Sequence, residues 1–144
     1  MPGPVAGNQI PALVLPIGTD VFYSAGVQAQ WNQWAQLKDS QGNIIFTMSG
    51  SGTDPKSIGA GYFHTADTNY TLQIGINNGG SFSQVLWGEA RLMMGGVLMC
   101  DQYVYAAEDG GGTDYNDTIL ILQWLKPPPG APELRRKALA HPGQ

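Results

Sequence analysis

Apolar and polar residues alternate along two long parts of the chain. The odd positions of residues 21–31 are apolar or aromatic, whereas the even positions of residues 24–32 are Ser, Gly, Gln or Asn. The same period of two recurs over residues 70–77, where Tyr70, Leu72, Ile74 and Ile76 share one face. Because successive side chains of a β-strand point to opposite faces, this period predicts strands that are buried on one side.

Turn-forming residues separate these segments. Residues 39–43, 49–55 and 77–80 are rich in Gly, Asn, Asp, Ser and Pro. Two longer apolar segments, residues 97–107 and 118–125, predict buried strands on either side of an acidic loop. Short strands at regular spacing predict an all-β fold, namely an antiparallel β-sandwich of about eight or nine strands with Greek-key-like connections. No segment before residue 126 predicts a helix.

Length and composition indicate one domain and a tail. The chain has 144 residues, of which 42% are apolar, and it contains 20 Gly and 10 Pro. This supports a single packed domain over residues 1–125 with many tight turns. The composition then changes, because residues 126–144 are rich in Pro and carry a net charge of +3. This segment is predicted to be either a mobile tail or an arm used in docking or assembly.

Charge and targeting signals narrow the function classes. Residues 1–125 carry a net charge of −7, which argues against a nucleic-acid partner. No apolar segment approaches the ~20 residues of a transmembrane helix. The first residues lack the basic and apolar regions of a secretory signal peptide, so we expect a cytoplasmic protein or one exported by another route. With Cys100 as the only cysteine, no internal disulfide forms.

Candidate chemistry is concentrated in the acidic loop. Four of the eleven acidic residues, together with Asn116, lie within residues 108–117: Glu108, Asp109, Asp114 and Asp117. Carboxylates packed between two apolar strands repel one another unless a cation lies among them. Calcium fits because it takes six to eight oxygen ligands in irregular geometry, whereas the loop has no His or Cys for a transition metal. The alternative is a solvated acidic turn.

The loop and the strand after it also resemble a known family. Glu108-Asp109-Gly110, then Asp114-Tyr115-Asn116-Asp117 and a strand that contains Trp124, resemble the bacterial fucose/mannose-binding lectins (fucose-binding lectin II) over residues 103–125. The resemblance implies a β-sandwich that binds sugar hydroxyls through calcium. It implies a fucose- or mannose-type carbohydrate as partner, no enzymatic activity, and a homo-oligomer, either a dimer or a tetramer.

Individual roles follow from the same resemblance. Glu108, Asp114, Asn116 and Asp117 match metal ligands of the family. Asp109 matches a carboxylate that contacts the sugar, and Asp114, Asn116 and Asp117 would also face the sugar. The alternative function is a structural β-sandwich in which calcium stabilises the last hairpin and the chain works by self-assembly.

Three differences from the family leave the number of calcium ions at one or two. Gly112 occupies a position where the family has an aspartate ligand. An asparagine ligand of the family falls near Ala29, so Gln28, Gln30 or Asn32 would have to replace it. In the family, a C-terminal glycine carboxylate from a neighbouring subunit completes the site, whereas this chain continues to Gln144.

No motif predicts catalysis. His64 and His141 are far apart in the sequence, and the chain has no His-Glu-x-x-His, Gly-x-Ser-x-Gly or phosphate-binding loop. Trp31, Trp34 and Trp87 have two interpretations. Their rings either stack on sugars next to the loop or anchor the core.

Overall fold

The computed structural model describes residues 3–110 and 114–125, and this part of the chain is an all-β sandwich. Its nine strands are β1 Val5–Ala6, β2 Leu13–Val14, β3 Asp20–Asp39, β4 Ile44–His64, β5 Asn69–Ile76, β6 Ser81–Phe82, β7 Gln84–Met94, β8 Val97–Glu108 and β9 Thr118–Leu125. The described residues contain no helix except one short 3₁₀ turn at Asn77–Gly79. The predicted fold class is therefore confirmed.

All strand pairs are antiparallel, and the strands form one sheet in the order β1-β7-β8-β9-β3-β5-β2. β4 also pairs with β3, and β6 with β5. The first half of β3 pairs with β9 over residues 21–27, whereas its second half pairs with β5 over residues 33–39. Register shifts between Ala25 and Gln33 separate these halves, so β3 passes from one layer of the sandwich to the other. β9 is inserted between β8 and β3, which brings the acidic loop next to β3.

The core lies between the two layers and follows the predicted alternation. Val21, Ala25, Val27 and Ala29 are buried, as are Tyr70, Leu72, Ile74 and Ile76. The alternation is wrong at Trp31, which is 57% exposed. Trp31 lies between Ala29, which pairs with Gly52, and Gln33, which pairs with Gly50, and in this stretch β3 is out of register with β4.

The Met- and Leu-rich segment around Gly95 and Gly96 forms the β7–β8 hairpin. Both glycines have a positive φ, 57° and 80°, which a tight turn requires and which other residues rarely adopt. Within residues 3–110 and 114–125 there is no helix with the length and apolar character needed to span a bilayer. The predicted tail, residues 126–144, lies outside the described residues.

Candidate metal and carbohydrate site

The acidic loop closes the hairpin between β8 and β9. Ala107 pairs with Thr118 at its base, where the Asp117 N–H donates to the Ala107 carbonyl at 3.2 Å. The Gln28 N–H donates to the Asp117 carbonyl, also at 3.2 Å. Backbone hydrogen bonds therefore attach the end of the loop to both β8 and β3.

Three carboxylates converge in this loop. Glu108, Asp109 and Asp117 each offer one oxygen, and these oxygens lie within 4.8 Å of one another. Oxygens this close can share one cation, and calcium accepts six to eight oxygen ligands in flexible geometry. The all-oxygen donor set therefore fits calcium.

Backbone amides orient two of these carboxylates. The Tyr115 N–H donates to Glu108 Oε2 at 3.2 Å, and the Asp109 N–H donates to Asp117 Oδ2 at 2.8 Å. Tyr115 has a positive φ of 49°, an uncommon conformation for a residue with a side chain. Its hydroxyl donates to Gln84 Oε1 on β7 at 3.3 Å. The described part of the loop is thus attached to three strands, and backbone amides hold the carboxylates of Glu108 and Asp117.

Two carboxyl groups of the loop, Glu108 and Asp109, have raised pKa values. Burial first, and then the neighbouring Asp114 and Asp117, raise the pKa of Glu108 to about 7. Burial also raises the pKa of Asp109, although its hydrogen bond from Gln33 acts in the opposite direction. A cation between these groups would favour their charged forms, so the electrostatics of the loop also fit a metal site.

The other predicted ligands lie at the edge of this group. Asp114 is exposed, and it lies close enough to Glu108 to raise the pKa of that side chain. Asn116 Nδ2 donates to Gln28 Oε1 on β3 at 3.3 Å. Gln28, one of three residues named to replace the family's asparagine, is therefore in contact with the loop, while Ala29 is buried in the core. Gly112 lies outside the described residues.

The sequence analysis did not identify Gln33, which lies beneath the three carboxylates and bonds one of them. Its side chain is fully buried, and its Nε2 donates to Asp109 Oδ2 at 2.6 Å and to the Trp31 carbonyl at 3.2 Å. Its Oε1 accepts from the Thr118 hydroxyl at 2.8 Å. The sequence contained one indication of this role. Gln33 occupies an odd position of β3 and is followed at odd positions by the core residues Ala35 and Leu37. A buried amide requires hydrogen-bond partners, and here one partner is Asp109.

The two tryptophans near Gln33 have different environments. Trp31 is exposed, whereas Trp34 is buried and its ring lies against Gly79. The core-anchor interpretation therefore applies to Trp34. The ring of Trp31 is accessible to a ligand.

Comparison with solved structures defines the class of fold. The Ralstonia solanacearum high-affinity mannose-binding lectin is similar with a TM-score of 0.70 and 24% identity, over 82% of this chain and 98% of that chain. The Chromobacterium violaceum lectin CV2L, solved in complex with alpha-methyl-fucoside, is similar with a TM-score of 0.68 and 24% identity over the same shares. The chain therefore has the fold of these small β-sandwich lectins.

Sequence comparison identifies the family. Residues 13–126 match the fucose-binding lectin II (PA-IIL) family, and the chain belongs to it. Thrombocorticin from Corticium sp. is 26% identical over 119 residues, which cover 76% of this chain and 88% of that protein. The predicted resemblance is thus confirmed, and the chain is a carbohydrate-binding lectin domain. The family and the two solved proteins that it matches are lectins rather than enzymes.

Proposed function

We propose that this protein is a calcium-dependent lectin that binds a fucose- or mannose-type sugar at the acidic loop. The main support is the group of three carboxylate oxygens within 4.8 Å of one another at the end of a lectin fold. In this proposal Glu108, Asp114, Asn116 and Asp117 hold calcium. Asp109 contacts the sugar, and Asp114, Asn116 and Asp117 also face it. Bound calcium supplies open coordination positions for sugar hydroxyls.

Hydrogen bonds within the chain position the groups that would bind calcium and sugar. The amides of Asp109 and Tyr115 orient the carboxylates of Asp117 and Glu108, so little ordering is left to binding. Gln33 holds one oxygen of Asp109, and a carboxylate held in this way can accept a hydrogen bond from a sugar hydroxyl. The Trp31 carbonyl accepts from the same Gln33 amide, and the exposed Trp31 ring offers an apolar surface.

Calorimetry with fucose and mannose, in calcium and in chelator, tests the proposal. We expect saturable binding that chelator abolishes. Asp117→Ala should lose both calcium and sugar, because its carboxylate lies within the acidic group. Asp109→Ala should weaken sugar binding about ten- to a hundredfold through loss of a charge-assisted hydrogen bond, and should keep most of the calcium affinity. Asp39→Asn, in the β3–β4 turn, is the control and should change neither.

The outcomes separate a lectin from a structural protein. Calcium uptake without heat from any sugar on a broad panel would favour the structural alternative, in which the ion stabilises the last hairpin. Loss of calcium in Asp109→Ala would place this carboxylate among the metal ligands, since it lies in the same group as Glu108 and Asp117. Sedimentation of the full chain tests the proposed homo-oligomer, and the calcium stoichiometry distinguishes one ion from two.

A further inference from the structure

The β7–β8 hairpin projects from the end of the sandwich opposite the acidic loop. β8 pairs with β9 from Ala107, beside the loop, to Cys100, which is about 23 Å away at ~3.3 Å per residue. The hairpin then extends about 10 Å past Cys100 before it turns. We call residues 92–98 the hairpin tip. Within the described residues, the two strands of the hairpin tip pair only with each other.

The hairpin tip exposes large apolar side chains on both of its faces. Leu92, Met93, Met94 and Val97 are 66%, 56%, 67% and 41% exposed. Met93 and Met94 are neighbours on β7 and therefore point to opposite faces. Residues 92–100 contain no charged side chain. Exposed apolar groups that lie together in this way are typical of surfaces that contact a protein or a membrane.

The shape of the hairpin tip favours a membrane over a protein. A protein that packs on one face of a hairpin leaves the other face in water, whereas a lipid layer surrounds both. The projection of about 10 Å also matches the depth of ~5–10 Å to which interfacial segments enter the boundary between headgroups and acyl chains. Leu98 packs against the core, so the hairpin tip is held by the folded domain.

The charges at the root of the hairpin favour an anionic lipid surface. β9 ends at Leu125 beside this root, so the basic segment of residues 126–144, with its net charge of +3, is joined to the domain at this end. Arg91 lies here as well, and it bonds Glu89 at 3.0 Å, while Asp101 is buried. Basic side chains close to a membrane surface are attracted by anionic headgroups.

We propose that the hairpin tip inserts into the headgroup region of an anionic lipid bilayer, and that the basic segment of residues 126–144 strengthens this attachment. The acidic loop then lies at the opposite end of β8, away from the bilayer. Lipid binding at the hairpin tip requires neither calcium nor sugar. The inference is therefore independent of the proposed lectin function.

Flotation of the full chain with vesicles tests this inference. Chelator is present throughout, because calcium can itself bridge acidic groups to anionic lipids. We expect binding to vesicles of phosphatidylcholine and phosphatidylserine in a ratio of about 7:3, about tenfold tighter than to phosphatidylcholine alone. The double change Met93→Ser and Met94→Ser should weaken binding at least about tenfold. Met94→Leu should keep it, as should Phe82→Ser, a loss of an exposed apolar group on β6.

Neutral variants of the basic segment test its contribution. The triple change Arg135→Gln, Arg136→Gln and Lys137→Gln should remove most of the preference for phosphatidylserine and leave the weaker binding to phosphatidylcholine. The same preference should decrease as salt is added, because ions screen exposed charges. An unchanged preference in the triple variant would overturn the role of the basic segment.

Tryptophan fluorescence locates the inserted part of the chain. Met94→Trp should gain quenching by brominated acyl chains relative to the unmutated protein, whereas Phe82→Trp should gain none. Quenching of Phe82→Trp alone would place another surface in the bilayer and overturn the inference.

The outcomes separate lipid binding from other roles of the hairpin tip. Absence of binding to both kinds of vesicle would overturn the inference and leave the lectin function untouched. If vesicles are not bound and the double serine variant lowers the particle mass in sedimentation, a second copy of the chain covers the hairpin tip instead. Binding to vesicles without binding to any sugar would support the inference and contradict the lectin function.

Discussion

Replacing Gln33 should show how much this buried side chain beneath the acidic loop contributes to the free energy of unfolding. Gln33→Ala removes a hydrogen bond to the Asp109 carboxylate at 2.6 Å and one from the Thr118 hydroxyl at 2.8 Å. A bond to a charged group contributes about 1.5–3 kcal/mol and a neutral one about 1 kcal/mol. Thr118 is fully buried, so no solvent replaces its lost partner. We expect the free energy of unfolding to fall by about 3 kcal/mol.

Thermal and urea unfolding in chelator measure this loss without any contribution from calcium. For a chain of this size, about 3 kcal/mol corresponds to a decrease in Tm of about 10 °C. Gln36→Ala is the matched control, because Gln36 is on the same strand and its side chain bonds Thr47 at the surface. That change should cost less than about 0.5 kcal/mol. Equal losses for the two variants would refute the supporting role of Gln33.

Three further predictions concern calcium, pH and the tail. Calcium at a hundredfold excess over its Kd should stabilise the fold by about 2.7 kcal/mol and magnesium much less, and identical melting curves in calcium and in chelator would contradict the ion site. Burial, and then its contact with Glu89, raise the pKa of Asp101 to about 6 from 3.8, and Glu108 reaches about 7 from 4.5. Because the folded chain holds these protons more tightly than the unfolded chain, stability without calcium should fall as the pH rises from about 4 to 7. Asp101→Asn should flatten this decrease and raise Tm at pH 7.5, and a lower Tm would contradict the assignment. Deletion of residues 127–144 should change Tm by only a few degrees, whereas a large loss or a new oligomer size in sedimentation would show that the tail docks.

The sequence was sufficient for features that depend on neighbours in the chain. The period of two over residues 70–77 predicted the buried face of β5, because alternation is a local property of a strand. The acidic loop was equally visible, since its candidate ligands lie within residues 108–117 and the strand that follows completes the family resemblance. Fold class and family could therefore be predicted from the sequence.

The tertiary structure determined which distant residues join the loop. Gln33 contacts Asp109 across 76 positions of sequence, and Gln28 contacts Asn116 across 88. No local sequence pattern encodes these pairs. They form because β9 lies against β3 in the folded chain. The exposure of Trp31 depends on irregular pairing between β3 and β4, which the alternation alone did not reveal.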